Sequence, residues 1–368
     1  MLGNVISRPR RILLPIFVLL LLFSSSLAQA QVIIKLNDNV FFRVGAQLQA
    51  WGDEQQDAAT KGYIQNLFIR RARFLLTGQV APNVTFFFQT DNPNAGKIPK
   101  NLGSGFILQD FWAEWKLNDY FALSGGEFLV PLSRIALTST TSFITLDITP
   151  TATVFSGPTQ SNNLRDTGFQ AKGYLLNGRL EYRGAIFQGI RNPAPPAPAG
   201  RNAFRRAAYL QYDFFEKERG YVYPGTNLGK RKILAVSAGY DGQNKYKAFS
   251  GSVCTSMPMP GGNEFDGVFQ ISRYNGGTFI PAIPNQRDDV VELGYYLSPL
   301  KIEPFAKVED QKFNASSNQP KNQNRFGAGV NYYVSGQNLK FTGQFLHVKP
   351  KSGNSTNEFT VQMQVWYY

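Results

Sequence analysis

The arginines are the residues of this sequence that point most clearly to a chemical function. Arg70, Arg71 and Arg73 fall within the stretch NLFIRRARFLLTGQV, residues 66–80, among Leu, Ile and Phe. A guanidinium group binds anions through several N–H donors, whereas an unpaired charge is costly inside an apolar core. The stretch therefore predicts an element with one wet face and one apolar face.

Other reactive side chains are scarce. The chain has one histidine, His347, and one cysteine, Cys254. A single cysteine cannot close an internal disulfide, and no His/Cys cluster has metal-ligand spacing. We therefore expect no enzyme activity, no metal and no cofactor. We interpret His347 as an outward-facing side chain near a strand end and Cys254 as a small apolar filler on a strand.

The N-terminus has the form of a secretory signal. Three arginines within residues 8–11 precede an apolar run at residues 12–23, and the small-x-small sequence AQA follows. At roughly 12 residues, the run is shorter than the ~20 of a spanning helix. We predict a signal peptide over residues 1–30 and one β domain over residues 31–368. The net charge of +13 then falls to +10, because three arginines leave with the signal.

Strand-like alternation continues from residue 40 to the end of the chain. In VFFRVGAQLQAW, residues 40–51, Phe, Val, Ala and Leu alternate with Arg, Gly and Gln. Period two with one apolar face is typical of a half-buried strand, and about sixteen such segments can be counted. They lie near residues 40–50, 67–80, 84–91, 107–117, 121–130, 167–176, 179–190, 204–214, 232–240, 245–255, 264–274, 289–297, 301–310, 325–334, 338–348 and 358–368.

The connections between these segments alternate in length. Short turns such as APN and the Asn-Gly pair at 177–178 mostly follow every second segment, and longer polar stretches follow the others. Residues 215–231 and the short DGQN at 241–244 are exceptions. An even number of strands with this asymmetry is typical of outer-membrane barrels. A soluble β-sandwich also alternates, but aromatic residues near strand ends, as in NYYV and VWYY, favour a transmembrane antiparallel β-barrel.

Several stretches resemble one family. FFRVGAQLQ, RRARFLLTG, GGEFLVPLSR and RDTGFQAKGYLLNGRLEYRGAIFQG are similar to segments of the phosphate-selective porin O and P family, in matching order. The resemblance implies a sixteen-stranded outer-membrane barrel, a homotrimer and anion-conducting pores. It also implies that the third long loop, Pro131–Asp166, folds into the pore. This loop carries Arg134 and Arg165 against Asp147 and Asp166, so it is neutral overall.

Charged residues in the phase opposite the apolar face are predicted to line the lumen. Rings of Arg or Lys are a common device of anion pores. The predicted lumenal cations are Arg43, Arg71, Arg73, Lys116, Lys172, Arg179, Arg183, Lys307, Arg325 and Lys340, to which the loop adds Arg134 and Arg165; the predicted lumenal acids are Asp110, Glu114 and Glu127. Arg70 falls in the lipid phase, and we expect it at the headgroup level near the outer end of its strand.

Two functional hypotheses follow. The first is an outer-membrane porin for passive diffusion of small, preferentially anionic solutes, including phosphate-like anions. The alternative is a structural or adhesive outer-membrane barrel with a non-selective or plugged pore. The expected partners are small anions and outer-membrane lipid or lipopolysaccharide, with no nucleic acid. GTNLGKR, residues 225–231, is one residue short of a phosphate loop, and we interpret it as a solvated basic turn facing the periplasm.

Overall fold

The computed structural model describes residues 32–97, 105–191 and 203–368. The predicted signal peptide, residues 1–30, lies outside these ranges and stays a prediction. The described residues form seventeen strands: β1 Val32–Asn37, β2 Val40–Gln56, β3 Tyr63–Ala81, β4 Val84–Asp91, β5 Ile107–Lys116, β6 Ala122–Leu129, β7 Arg165–Leu175, β8 Leu180–Phe187, β9 Arg205–Asp213, β10 Ile233–Gln243, β11 Tyr246–Met259, β12 Asn263–Asn275, β13 Gln286–Tyr296, β14 Ile302–Phe313, β15 Gln323–Ser335, β16 Leu339–Pro350 and β17 Thr356–Tyr367.

Sixteen of these strands, β2 to β17, close into one antiparallel barrel. Each pairs with the next along the chain, and β17 pairs back onto β2, from Glu358 opposite Gln55 to Tyr367 opposite Ala46. Closure gives every strand two partners, so the barrel itself leaves no full-length edge. The predicted fold class, an antiparallel barrel of about sixteen strands with its first strand near residue 40, is confirmed.

The additional strand, β1, was not predicted. It forms a hairpin with the start of β2, where Val32 lies opposite Val44, and all of its residues are exposed. This part of β2 extends beyond the end of β17, so β1 covers an edge that would otherwise be unpaired. The sequence contained a signal for it, since two isoleucines precede the turn-forming stretch Asn37-Asp38-Asn39.

The alternation predicted from the sequence separates two faces of the barrel wall. On β17, the side chains of Phe359, Val361 and Val365 are exposed on the outside, and those of Thr360, Gln362 and Gln364 are buried inside. An apolar outer band with a polar interior is the arrangement that suits a lipid bilayer around a wet lumen. Among the described residues, no helix is both long and apolar enough to cross a membrane.

The connections at the two ends of the barrel differ as expected. Those after β3, β5, β7, β13 and β15 span five residues or fewer. One connection on that same side is long: residues 214–232, between β9 and β10, which we call the inner segment. On the opposite side, the longest fully described connection is residues 130–164, between β6 and β7, which we call the long loop.

The long loop folds into the barrel, as predicted, and crosses to the opposite wall. Near its start, the Leu132 carbonyl accepts a hydrogen bond from Ser250 on β11, with an O···O distance of 2.5 Å. Further along, the Ile144 carbonyl accepts from Asn331 Nδ2 on β15 at 2.8 Å, and Thr141 O accepts from Gln364 Nε2 on β17 at 2.9 Å. These bonds satisfy loop carbonyls with side chains of the wall, because buried polar groups need partners.

An apolar core fills one side of the lumen beneath the long loop. Leu132, Leu137 and Phe155 of the loop pack with residues of the wall such as Phe187 and Tyr274. The residues of this core come mainly from β6 to β12 and from the two inward-folded segments. The other side of the lumen, along β2 to β5, is left open.

Candidate functional site

An open cavity lies between the long loop and the wall formed by β2 to β5. Its volume is about 460 Å³. The wall contributes charged and aromatic side chains, and the loop contributes Thr138, Ser139, Thr140 and Thr141. The apolar core adjoins this cavity, since Leu129, Ala136 and Leu164 belong to both.

Arg70 and Arg71 share one carboxylate inside the barrel. Asp147 of the long loop accepts from Arg70 Nε at 2.8 Å and from Arg71 Nη2 at 2.5 Å. Arg71 also donates to Gln49 Oε1 at 2.6 Å. Two guanidinium groups therefore hold the loop against β3, and both line the cavity.

The prediction that Arg70 faces lipid is wrong. Gln49 lies opposite Arg71 and Ala50 lies opposite Ile69, so Arg70 is an extra residue in β3. Such a β-bulge places two residues against one and breaks the alternation of faces. As a result, Arg70 and Arg71 both reach the lumen although they are adjacent in sequence.

Asp147 remains charged in this setting. Burial alone would raise the pKa of its carboxyl group, but the neighbouring Arg70 and Arg71 and the Ile148 N–H stabilise the anion. The result is a pKa well below the usual range for aspartate. The loop is thus fixed by a charged pairing and not by a neutral hydrogen bond.

Two further arginines line the cavity, each beside an aspartate of the wall. Arg73 Nε lies 2.9 Å from Asp91 Oδ2, and Arg73 Nη1 donates to Thr140 Oγ1 of the long loop at 2.9 Å. Arg165, where the loop rejoins the wall, donates to Asp110 through Nε and Nη2 at 3.2 and 3.1 Å. Both arginines are buried.

The balance of charge around the cavity favours anions. Four arginines, at positions 70, 71, 73 and 165, and two aspartates, at positions 91 and 110, line it. Asp147, which is paired with Arg70 and Arg71, adds a third negative charge, and one positive charge remains. A low-dielectric wall focuses such a field in a narrow channel. The cavity can therefore attract an anion. Because each of its arginines is already paired with an aspartate, it has no cluster of unpaired cations that would hold the anion tightly.

The inner segment enters the lumen from the other end and joins the long loop. The Tyr223 N–H donates to Leu137 O at 2.9 Å, and the Ser139 N–H donates to Tyr223 O at 2.8 Å. Arg134 of the loop forms two hydrogen bonds to the Glu218 carboxylate, of which Nη2···Oε1 is 3.0 Å. The loop and the segment thus form one unit inside the barrel.

The structure assigns the other predicted cations to several places. Arg43, Lys172, Arg183, Lys307, Arg325 and Lys340 lie in the inward phase of their strands, but none of them lines the cavity. Most of them are paired with nearby acids: Lys172–Glu114 2.7 Å, Arg183–Glu181 2.7 Å, Lys307–Glu309 2.7 Å and Arg325–Glu309 3.3 Å. Lys340 donates to Thr141 O of the long loop at 3.3 Å.

Three predicted pore cations serve other contacts. Arg134 is occupied by Glu218 and lies outside the cavity lining. Arg179 belongs to the turn before β8, where its Nη1 donates to the carbonyls of Asp213, Phe214 and Phe215. Lys116 is half-exposed at the turn end of β5. The prediction that Arg179 and Arg134 line an open pore is corrected accordingly.

Glu127 lies on the outer face of the wall, contrary to the prediction. It is opposite Phe111, whose side chain is 54% exposed, and directly paired residues share a face of the sheet. The preceding residues, Gly125 and Gly126, have no side chains, so the sequence does not show which residues of β6 face the lumen. The Glu127 carboxylate accepts from Asn162 Nδ2 at 2.9 Å.

The stretch Gly225–Arg231 is only partly a solvated turn. Thr226 is buried, and Glu264 of β12 accepts from Thr226 Oγ1, Asn227 N and Gly229 N at 3.0, 2.7 and 2.9 Å. Lys230 is exposed, as predicted for a basic turn. The backbone N–H groups here bind a carboxylate of the same chain.

His347 and Cys254 occupy the positions expected of structural side chains. His347 is opposite Phe326, which is exposed on the outer face, and its Nδ1 lies 2.8 Å from Asn357 Oδ1. Cys254 is buried with Ile135 and Val268 beneath the long loop. Among the described residues, no group of three or more His, Cys, Asp or Glu could hold a metal ion.

Residues 42–148 match the family model described as phosphate-selective porin O and P. The family resemblance is confirmed over these residues. The matched part contains Arg70, Arg71, Arg73, Asp91 and Asp110, which are all the charged lining residues of the cavity except Arg165. No curated protein matches the chain significantly.

Solved porin structures share the fold at low sequence identity. The anion-selective porin from Comamonas acidovorans has a TM-score of 0.62 at 12% identity, covering 92% of this chain and all of that one. Pseudomonas putida OprB has a TM-score of 0.61 at 9% identity, with coverage of 89% and 94%. The trimer form of OmpT from Vibrio cholerae has a TM-score of 0.56 at 10% identity, with coverage of 90% and 100%.

Proposed function

We propose that this chain is an outer-membrane porin through which small solutes diffuse passively, with a preference for anions. The observation that carries the proposal is the cavity wall, where four arginines face three aspartates. Each arginine is paired, so an anion meets a positive field but finds no isolated cluster that would trap it. Conduction needs this balance, because binding must be weak enough for the ion to leave.

The anion preference can be measured as a reversal potential. The protein is purified, reconstituted in planar bilayers and placed in a KCl gradient. A potential of the sign set by chloride supports the proposal, and one set by potassium refutes it. Replacing chloride with phosphate on one side then shows whether phosphate-like anions pass as readily.

The alternative of a structural barrel with a plugged pore makes a different prediction in the same experiment. Reconstituted protein would then give no stepwise increase in conductance. The open cavity beside β2 to β5 favours conduction. The same porin assignment gives no catalytic role to His347 or Cys254, and lipase activity lost in His347→Ala would contradict it.

Export and assembly are further parts of the proposal. Residues 1–30 would be removed on secretion, which N-terminal sequencing of the outer-membrane protein tests. The exposed apolar side chains of the outer face support contact with outer-membrane lipid or lipopolysaccharide. A homotrimer is supported by the trimeric form of a structurally similar porin. Chemical cross-linking of the detergent-solubilised protein should yield a band at three times the monomer mass.

A further inference from the structure

Three aromatic side chains form a continuous surface in the cavity. The ring of Phe87 stacks with that of Trp112 at a centroid distance of 5.7 Å and an interplanar angle of 25°. Tyr221 lies 5.7 Å from Phe87 and 5.1 Å from Trp112. We call these three residues the aromatic shelf. All three line the cavity, and each is partly exposed.

The shelf is assembled from two sources. Phe87 on β4 and Trp112 on β5 are directly opposite in the sheet, so the wall fixes their contact. Tyr221 comes from the inner segment, whose position is set by Arg183. That guanidinium donates to Gly220 O at 3.0 Å and to Tyr221 O at 2.9 Å. A segment held at its backbone on both sides of the residue presents the ring in one place.

The shelf adjoins one of the charged pairs. The Tyr221 hydroxyl donates to Asp110 Oδ1, and the other oxygen of the same carboxylate accepts from Arg165 Nη2. Asp110 and Trp112 are two residues apart on the same face of β5, a separation of ~7 Å. A guanidinium and a flat aromatic surface are therefore within reach of one small molecule.

The cavity also has aliphatic and further aromatic side chains in its lining. The long loop, the inner segment and their junctions with the wall contribute Leu129, Ala136, Phe143, Ile148, Leu164 and Val222. A hydrated inorganic anion gains nothing from such a surface, whereas a hydrocarbon body gains free energy by leaving water.

From this geometry we propose that the cavity is a binding site for organic anions with a flat apolar body, above all aromatic monocarboxylates. The ring lies on the aromatic shelf and the carboxylate faces the arginines, with Arg165 the nearest of them. Since the anion preference supplies the charge recognition, this inference rests on the proposed porin function. It adds the class of solute.

Blocking of the chloride current by added carboxylates tests the inference. The full-length porin in planar bilayers is titrated with benzoate and, separately, with acetate, which has the same charge and no ring. We expect half-block at a benzoate concentration at least about tenfold below that of acetate. Phe87→Leu should reduce this benzoate-to-acetate ratio by about 2- to 12-fold, the range for loss of one aromatic contact.

Phe88→Leu is the matched control. Phe88 neighbours Phe87 on β4 but contacts Phe111 on the outer face, 5.8 Å away. This variant should leave the ratio unchanged. Tyr221→Phe, which keeps the ring and loses only the hydroxyl contact, should retain most of the benzoate preference and shows whether the ring is what matters.

The outcomes separate the two proposals. A reversal potential in KCl without anion preference refutes the proposed function, whatever benzoate does. If anion preference is present but benzoate blocks no better than acetate, the shelf inference is overturned. It is equally overturned if Phe87→Leu and Phe88→Leu behave alike, or if maltotriose blocks at the concentration of benzoate and loses its effect in Phe87→Leu.

Discussion

Neutralising Arg70 tests whether this residue faces lipid, as the alternation of the sequence predicts, or the lumen, as in the structure. Strict alternation places this residue in the lipid phase, where Arg70→Gln would leave ion selectivity unchanged. The bulge in β3 instead turns Arg70 into the cavity, 2.8 Å from Asp147. Arg71 still binds Asp147 in the variant, so the long loop stays in place and the loss of charge is the main change.

The size of the effect follows from Coulomb's law. A unit charge about 6 Å from a permeating ion contributes ~0.7 kcal/mol in water, and salt near 0.15 M reduces this to ~0.3 kcal/mol. Removing it disfavours the anion and favours the cation by similar amounts. The ratio of anion to cation permeability should therefore fall by about 3- to 10-fold, since 1.4 kcal/mol is a factor of ten. Neutralising a lipid-facing arginine more than a Debye length from the permeating ion would change the permeability ratio very little.

The assay is the reversal potential of reconstituted channels in a KCl gradient, measured for the wild type and for Arg70→Gln. Arg206→Gln is the control, because Arg206 is an exposed residue of β9 beside the inward-facing Arg205. It removes the same charge from the outer face. The single-channel conductance of Arg70→Gln should stay within about twofold of the wild type if the loop remains anchored.

An unchanged reversal potential in Arg70→Gln would refute the bulge geometry and restore the alternating register. Equal shifts in Arg70→Gln and Arg206→Gln would show that the measurement reports the net charge of the protein and not the cavity. Only a shift confined to Arg70→Gln agrees with the structure.

Three further predictions test the inward-folded unit. Asp147→Asn removes the negative charge that is paired with Arg70 and Arg71 of the cavity lining. It should raise the ratio of anion to cation permeability by about 3- to 10-fold, read from the same reversal potential. A lower ratio would contradict the charge balance. The difference in permeability ratio between the wild type and Asp147→Asn should persist from pH 7 down to about pH 4.5. A pKa depressed below the ordinary ~3.9 keeps the Asp147 carboxylate charged until the pH falls through the lowered value. Loss of the difference at the acid end would show a raised pKa. Glu218→Gln leaves Arg134 buried without its charged partner and should lower the free energy of unfolding in urea by about 3–5 kcal/mol. The double variant Arg134→Met/Glu218→Met should recover most of this loss. If Glu218→Gln is as stable as the wild type, the pair does not hold the unit together.

The barrel could be predicted from the sequence because its two faces differ in kind. Each strand repeats with period two, so the inward side of β2 and the outer side of β17 follow from the order of residues alone. The side of most connections follows from their length, with the inner segment and the short turn between β10 and β11 as exceptions. Both rules are local, and they hold wherever a strand is regular.

The failures of prediction occur where a strand is irregular or carries no side chain. Arg70 sits at a bulge, which adds one residue and shifts the phase. Glu127 follows two glycines, which leave the phase of β6 unmarked. Neither feature changes the composition of the strand, and so pairing with the neighbouring strands is needed to reveal it.

The contacts of the site could be predicted only in part, for a different reason. Arg71 and Arg73 could be placed on the wet face, but the pairing of Arg71 with Asp147 depends on how the long loop crosses the lumen. The pairing of Arg73 with Asp91 depends on where β4 ends beside β3. The inner segment, with Tyr221, could be recognised only as a connection too long for its side of the barrel. Its direction into the lumen depends on contacts with a loop that enters from the opposite end.

The union of the long loop and the inner segment bears on the size of solute that can pass. The bore of an empty barrel grows with the number of its strands, but here the long loop and the inner segment join inside the barrel and leave a cavity beside β2 to β5. The exclusion limit should therefore depend on the cavity that these two segments leave beside the wall and not on the bore of the empty barrel. Substitutions in the loop could change that limit while the strand number stays at sixteen.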